Sequence, residues 1–128
     1  MNVGFTGTRE GMSRRQASQL QYVLALFNHA DLAIGRAAPR LHYGTHESVG
    51  LLADEEAANM AAGLCYETVG HYARRGGELV RNREIVRCVS VLIAAPLTDK
   101  EELRSGTWAT IRYARDKFIP VVMLARGR

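Results

Sequence analysis

Two short segments combine glycine with hydroxyl residues in the way that phosphate-binding loops do. The first is Thr6-Gly7-Thr8-Arg9, near the start of the chain, and the second is Ser105-Gly106-Thr107, near its end. Glycine lets the backbone approach a ligand closely, while hydroxyls and the free amides at a helix start hydrogen-bond to phosphate oxygens. Each segment alone also suits a tight turn with a helix cap. Together they predict a site for a phosphate-bearing ligand.

A second candidate group is Arg81-Asn82-Arg83. Guanidinium groups pair with phosphate or carboxylate oxygens in bidentate fashion, and Arg9 in the first loop offers the same chemistry. Asn82 carries the donor and the acceptor that recognise a base or ribose edge, and it equally suits a helix cap. We expect at least one of the three arginines to lie on a solvated face.

Carboxylates that could act as a catalytic acid or base are few and scattered. The polar segment Tyr43-Gly44-Thr45-His46-Glu47-Ser48 follows a predicted strand, but the adjacent side chains of His46 and Glu47 rarely converge on one atom. Asp54 stands at a predicted helix start, where negative charge also suits the helix dipole. The weak catalytic candidates are therefore Glu47, Asp54 and Glu84.

The histidines and cysteines show no metal-ligand pattern. His29, His42 and His71 have no ligand spacing, and Cys65 and Cys88 lie far apart without a CxxC motif. We therefore predict no metal site, no cofactor and no disulfide framework, and a reducing cytoplasm as the location.

The composition is that of an ordinary folded protein. Hydrophobic residues make up 47% of the 128 residues and charged residues 23%, which excludes a disordered chain. No apolar run approaches the roughly 20 residues of a membrane span, and the start lacks a signal-peptide layout. The formal net charge of +4 favours an anionic partner without identifying one.

Alternating strands and helices must position these residues. The predicted strands are Asn2–Thr6, Pro39–Tyr43, Leu64–Val69, Val89–Ala95 and Ile119–Leu124. A capping box, Ser13 with Gln16, begins the first helix, which has an apolar face. The other predicted helices are Leu51–Ala62 with Gly63 as C-cap, Val80–Val86, and Ser105 through Lys117.

This order of elements predicts an α/β fold: a single-domain, Rossmann-like three-layer sandwich over residues 1–128, with a mostly parallel five-stranded sheet. Ligands of such sheets bind beyond the carboxyl ends of the strands, where the winding reverses. If the strand order is 3-2-1-4-5, the two glycine loops face one crevice there. Trp108 could stack on a nucleobase, but a tryptophan near a helix start is more often a packing residue.

Four segments resemble the SLOG superfamily: NVGFTGTREGMS, ELVRNREIV, VLIAAP and LRSGTWATIRYARDKFIPVVML. This Rossmann-like group includes DprA DNA-processing proteins, LOG phosphoribohydrolases, and the small stand-alone bacterial and phage proteins that the chain resembles most. The resemblance implies a ligand site and, with the loops above, gives the predicted ligand-binding residues: Thr6, Gly7, Thr8, Arg9, Gly44, Thr45, Asp54, Arg81, Asn82, Ala95, Pro96, Ser105, Gly106 and Thr107.

The chain departs from these relatives in two places. The LOG type carries glutamates in a GTxEE pattern, whereas here Thr107 is followed by Trp108, Ala109 and Thr110. The small relatives carry a compact HGDCVGAD-like turn, whereas residues 43–54 form a longer segment that retains the final carboxylate as Asp54. By this resemblance Asp54 would contact a ribose hydroxyl.

Three functions follow from these patterns. The first is binding, for sensing or sequestration, of a nucleotide or a derivative such as an ADP-ribose- or NAD-like molecule or a nucleoside phosphate. The second is LOG-like cleavage of an N-glycosidic or phosphate bond. The third is DprA-like binding of single-stranded DNA, which normally needs stacking aromatics along a basic groove. We also expect a homo-oligomer, and no membrane partner.

Overall fold

The computed structural model describes residues 1–45, 52–73 and 77–127 of the chain. Helices alternate with five strands, which form one sheet in the order β3-β2-β1-β4-β5. The elements are β1 (Asn2–Gly7), α1 (Arg14–Ala33), β2 (Arg40–Thr45), α2 (Leu52–Gly63), β3 (Glu67–Tyr72), α3 (Glu78–Cys88), β4 (Val91–Ala95), α4 (Gly106–Asp116) and β5 (Val121–Met123). The predicted Rossmann-like α/β fold is confirmed, and every pair of neighbouring strands is parallel. The strand order is the one under which the two glycine loops face one crevice.

The winding of the sheet reverses between β1 and β4. The chain runs from β1 outward through β2 to β3, and then returns to the other side of β1 as β4. The two strands pair in register from Val3 opposite Val91 to Gly7 opposite Ala95. Their carboxyl ends therefore lie side by side at the switch point, which is the usual position of a ligand crevice.

Alternating side chains of β4 pack on the two faces of the sheet. Ile93 and Ala95 face the layer that contains α1 and α2. Leu92 packs with Val86 of α3, and Ala94 packs with Ile111 of α4. Since β4 is buried along its whole length, it has the apolar sequence of a central strand covered on both faces.

The predicted capping box begins α1. The Ser13 hydroxyl accepts a hydrogen bond from the Gln16 amide at 3.1 Å, and the Gln16 side chain accepts one from the Ser13 amide at 3.1 Å. The buried Gln16 side chain also donates to the carbonyl of Pro96 at 2.8 Å and to that of Leu124 at 3.2 Å. The start of α1 is thereby tied to the ends of β4 and β5.

Several predicted boundaries were wrong by a few residues. Gly63 was predicted as the C-cap of α2, but it is the last residue of the helix, and the positive φ of the following turn is at Cys65. Strand β3 starts at Glu67 instead of Leu64. Val89 caps α3 in an extended conformation, so this helix is longer than predicted and β4 starts two residues later. No helix in residues 1–45, 52–73 or 77–127 is long and apolar enough to cross a membrane.

Candidate functional site

A cleft of about 470 Å³ lies at the carboxyl ends of β1 and β4. Both predicted glycine loops line it, so Gly7 and Gly106 meet at one site as the strand order required. The described residues that line the cleft are Thr6, Gly7, Thr8, Arg9, Glu10, Asp54, Glu78, Arg81, Asn82, Leu97, Glu102, Arg104, Ser105, Gly106 and Thr107.

The first loop is held in shape by its own turn and by α2. The Thr8 hydroxyl accepts a hydrogen bond from the Glu10 amide at 2.9 Å, and the Thr8 carbonyl accepts one from the Gly11 amide at 3.3 Å. Gly7 has no room for a side chain, because a Cβ there would lie 2.7 Å from the Cβ of Ala53 in α2. Glycine at this position is therefore required by packing.

The second loop begins α4 and differs from the first. The Ser105 hydroxyl caps the helix by accepting from the Trp108 amide at 3.2 Å, while Trp108 itself is buried against Ala94 and Ile111. A Cβ at Gly106 would meet nothing within 4 Å. The amides of Gly106 and Thr107 donate to no described residue, so they are available to an anion at the positive end of the helix dipole.

Arg81 reaches the cleft from α3 with a guanidinium that is fixed on several sides. It donates to the side-chain oxygen of Asn82 through Nε and Nη2, at 3.2 and 3.1 Å, and to the carbonyl of Thr45 through Nη1, at 3.3 Å. Only 4% of the residue is exposed. Burial lowers the pKa of Arg81, and the nearby charge of Asp54 acts in the opposite direction. The guanidinium nevertheless stays charged, as arginine does in proteins.

Asp54 is a buried carboxyl group with an unused oxygen. It lies in the first turn of α2, where it lines the cleft. The residue is only 3% exposed, and its Oδ1 atom has no hydrogen-bond partner among the described residues. Burial raises its pKa well above the ordinary 3.8, against the opposing charge of Arg81. A carboxyl group in this state keeps its proton to a higher pH than usual and can donate a hydrogen bond.

The charges in the cleft are nearly balanced. Arg9 and Glu78 face each other across it with 3.7 Å between Nη2 and Oε1, and both are accessible to solvent. Three arginines and four carboxyl groups line the cleft: Arg9, Arg81, Arg104, Glu10, Asp54, Glu78 and Glu102. With all four carboxyl groups ionised the formal charge of the described lining is −1, and the raised pKa of Asp54 brings it closer to zero. Positive potential therefore depends on where the arginines and the helix start lie, and not on a net excess of cations.

No protein-family model matches the chain, and no curated protein matches it. Among solved structures, DNA processing protein A (DprA) from Streptococcus pneumoniae is similar, with a TM-score of 0.68 at 16% sequence identity. The chain has a DprA-like fold. The likeness covers 95% of this chain and 49% of that one, so the chain spans about half the length of DprA. A structure described as a predicted subunit of tRNA methyltransferase from Methanocaldococcus jannaschii has a TM-score of 0.44 at 12% identity, over 99% of this chain and 68% of that one.

Within this DprA-like fold, four predicted ligand residues do not line the cleft. Gly44 and Thr45 lie beneath Arg81. Gly44 leaves space for its guanidinium, and the carbonyl of Thr45 accepts a hydrogen bond from it. Ala95 is fully buried in the core, and Pro96 is buried with its carbonyl bonded to Gln16. The structure therefore gives these four residues supporting roles beside the cleft, and their direct contact with a ligand stays a prediction.

Only one of the three weak catalytic candidates reaches the cleft. Asp54 lines it, whereas Glu84 lies exposed on α3 outside it. Glu47 lies outside the described residues. Arg83 also lies outside the cleft and is exposed, with its guanidinium 5.3 Å from the ring centre of Tyr113, so it is an arginine on a solvated face.

Sequence reasoning missed five lining residues, namely Glu10, Glu78, Leu97, Glu102 and Arg104. All of them lie in or beside the connections after β1, β3 and β4, within a few residues of the predicted ones. The signal that could have found them was this position, since strand-to-helix connections at the carboxyl edge of a parallel sheet line its crevice.

Proposed function

We propose that the cleft binds a nucleotide or nucleotide derivative through one phosphate and a sugar hydroxyl. The observation that carries the proposal is that both glycine loops, a fixed buried arginine and a buried carboxyl group line one cleft at the switch point of the sheet. These groups differ in chemistry and come from separate parts of the sequence.

The phosphate is assigned to the start of α4. The amides of Gly106 and Thr107 have no protein partner among the described residues, and the open space above Gly106 lets an oxygen approach the backbone. Arg81, fixed by Asn82 and Thr45, adds a charged donor that needs no rearrangement to bind.

The hydroxyl is assigned to Asp54. Its free Oδ1 is buried in the wall of the cleft, and leaving a buried polar atom unpaired costs free energy. A ligand hydroxyl would remove that cost by pairing with the carboxyl group. Leu97, which is exposed and also lines the cleft, provides an apolar surface for a base.

The cleft favours a small ligand over a DNA strand. DprA is titled a DNA processing protein. The described lining of the cleft, however, contains no aromatic side chain, and its four carboxyl groups offset the charge of its three arginines. Single-strand binding normally uses stacked aromatics in a basic groove. We therefore assign the cleft to a ligand with one or two phosphates.

Calorimetric titration with matched ligands tests the proposal. Adenosine, AMP, ADP-ribose and NAD differ in their phosphates while sharing one nucleoside. We expect saturable binding of at least one phosphate-bearing member, and weaker binding of adenosine. Absence of heat with every nucleotide, including those with other bases, would contradict the proposal. Equal affinity for adenosine and AMP would contradict recognition of the phosphate.

Hydrolysis of an N-glycosidic bond is a second candidate, and Asp54 is the observation that favours it. A buried acid with a raised pKa can donate its proton to a departing base while water adds to the sugar carbon and returns a proton to the acid. The positions of the LOG-type glutamates are occupied instead by Ala109 and the buried Thr110. Incubation with nucleoside monophosphates and NAD, followed by chromatography, should show release of free base; intact substrate would dismiss this function.

A further inference from the structure

A second polar cluster lies on the α3 side of the sheet, outside the residues that line the cleft and close enough to Arg81 that its charge acts on one member of the cluster. His42 of β2 and His71 of β3 approach each other with 2.9 Å between Nδ1 of the first and Nε2 of the second. Their contact follows from the strand register. Gly44 of β2 is paired with His71 of β3, so the two residues face the same side of the sheet. His42 lies two residues before Gly44 and faces that side as well. Neither residue lines the nucleotide cleft.

Cys88 completes this group from the last position of α3. Its thiol sulfur and the two imidazole nitrogens all lie within 4.8 Å of one another. Cys88 is exposed and His71 is half-buried, whereas His42 is buried. The cluster is therefore fixed on its inner side and open to solvent on its outer side.

Asn2 fixes the tautomer of the inner histidine. Its side-chain oxygen, which can only accept, lies 3.0 Å from Nε2 of His42. Nε2 therefore carries the proton, which leaves the lone pair of Nδ1 directed at His71. A second hydrogen bond of this kind, from the far nitrogen of a ligating histidine to an oxygen, is a regular feature of protein metal sites.

We propose that His42, His71 and Cys88 form a binding site for a divalent transition-metal ion of the zinc class. Two imidazoles and one thiolate are ligands that Zn²⁺ prefers, and three protein ligands leave a fourth position for water. Glu84 lies one turn before Cys88 on α3, and its negative charge acts on His71 against the positive charge of Arg81, so it offsets part of the repulsion between that arginine and the cation. The absence of an oxygen-rich ligand set among these three residues disfavours Mg²⁺ and Ca²⁺.

Binding needs only small local movements. Zn–N bonds of about 2.0–2.1 Å at tetrahedral angles separate two ligand nitrogens by about 3.3 Å, compared with the 2.9 Å of the present hydrogen bond. The two rings must therefore separate slightly and turn so that both lone pairs converge on the ion, and the Cys88 sulfur, which lies within 4.8 Å of both nitrogens, must approach to about 3.6 Å. The metal replaces the hydrogen bond between the two rings.

Metal binding moves one proton within His71 and releases another. The proton on Nε2 of His71 moves to its Nδ1, so that both imidazoles bind as neutral ligands. The thiol of Cys88 loses its proton to solvent when the sulfur–metal bond forms. One proton is therefore released for each ion bound, and calorimetry in buffers of different ionisation enthalpy measures that number.

Metal titration of the reduced, chelator-treated protein tests the site. We expect one Zn²⁺ per chain, and with Co²⁺ a thiolate-to-metal charge-transfer band in the near ultraviolet. Cys88→Ser should weaken binding by more than about tenfold and abolish that band. Cys65→Ser is the matched control, since Cys65 is the other exposed cysteine and lies outside the cluster. His71→Gln should act like Cys88→Ser, with His29→Gln as its control.

Several outcomes would overturn the proposal. Absence of Zn²⁺ binding would do so, and so would equal loss in the Cys65 and Cys88 variants or a Co²⁺ spectrum without sulfur ligation. Circular dichroism of each variant separates loss of a ligand from loss of the fold.

Discussion

The guanidinium of Arg81 lies directly against the backbone of Gly44. A Cβ placed on Gly44 would come within 2.7 Å of Cζ and 2.9 Å of Nε. No side chain fits between β2 and this arginine, so Gly44 contributes to the cleft without lining it. Arg81 is thereby held in the position in which Thr45 and Asn82 bind it.

Gly44→Ala should therefore weaken nucleotide binding without unfolding the protein. The added methyl group displaces the end of a flexible side chain, and a lost charged hydrogen bond costs about 1.5–3 kcal/mol, or about ten- to hundredfold in Kd. Calorimetry measures the change. Gly63→Ala is the control, because a Cβ there meets nothing within 4 Å; equal affinities of the two variants would contradict the role of Gly44.

Gly106→Ala separates stability from binding. The new methyl group meets no protein atom within 4 Å, and alanine in a helix is more favourable than glycine by about 0.5–1 kcal/mol. We expect urea unfolding to show equal or greater stability, while the methyl group blocks the approach of phosphate and weakens binding. Wild-type affinity in this variant would exclude the start of α4 as the phosphate site.

Asp54→Asn should change how stability depends on pH. The pKa of Asp54 is raised in the folded protein, so its contribution to stability is complete below about 3.8, the unfolded value, and is lost as the pH rises through the raised value. The asparagine side chain that replaces it does not titrate. The free energy of unfolding of the variant should therefore rise relative to that of the wild type with increasing pH, by up to about 1.4 kcal/mol per pH unit.

Urea unfolding at a series of pH values measures this difference. Glu55→Gln is the matched control, since Glu55 follows Asp54 in α2 and is exposed. A difference between wild type and Asp54→Asn that stays constant with pH would show that folding does not raise the pKa of Asp54.

Glu78→Gln should strengthen anion binding. Glu78 faces Arg9 at 3.7 Å in an exposed pair, and such pairs contribute about 0–1 kcal/mol to stability. Without the carboxylate, Arg9 is free to contact phosphate, and we expect Kd to fall by up to about fivefold. Glu67→Gln, which removes an exposed partner of Arg40 outside the cleft, should leave Kd unchanged; weaker binding after Glu78→Gln would assign the carboxylate to the ligand instead.

The fold was predictable because local signals agreed with one another. The capping box at Ser13 and the apolar run of β4 fixed a helix start and a central strand, and alternation then implied a parallel sheet. Errors were confined to element ends such as Gly63 and Val89, where the conformation depends on neighbouring elements.

The site was predictable only where one segment carried the signal. The two glycine loops were recognised from their own residues, whereas the supporting role of Gly44 depends on Arg81, 37 positions further along the chain. The histidine cluster was missed for the same reason, because strand register brings His42 and His71 together and α3 then brings Cys88 to them. Association with a second copy of the chain stays a prediction.

Trp108 is the single tryptophan of the chain, and it is buried two residues after Gly106, in the first turn of α4. The protein therefore carries an intrinsic fluorophore one helical turn from the proposed phosphate position. Because indole emission depends on its surroundings, occupancy of the cleft can be followed by fluorescence without a label, and unfolding of the same variants can be followed by the same signal.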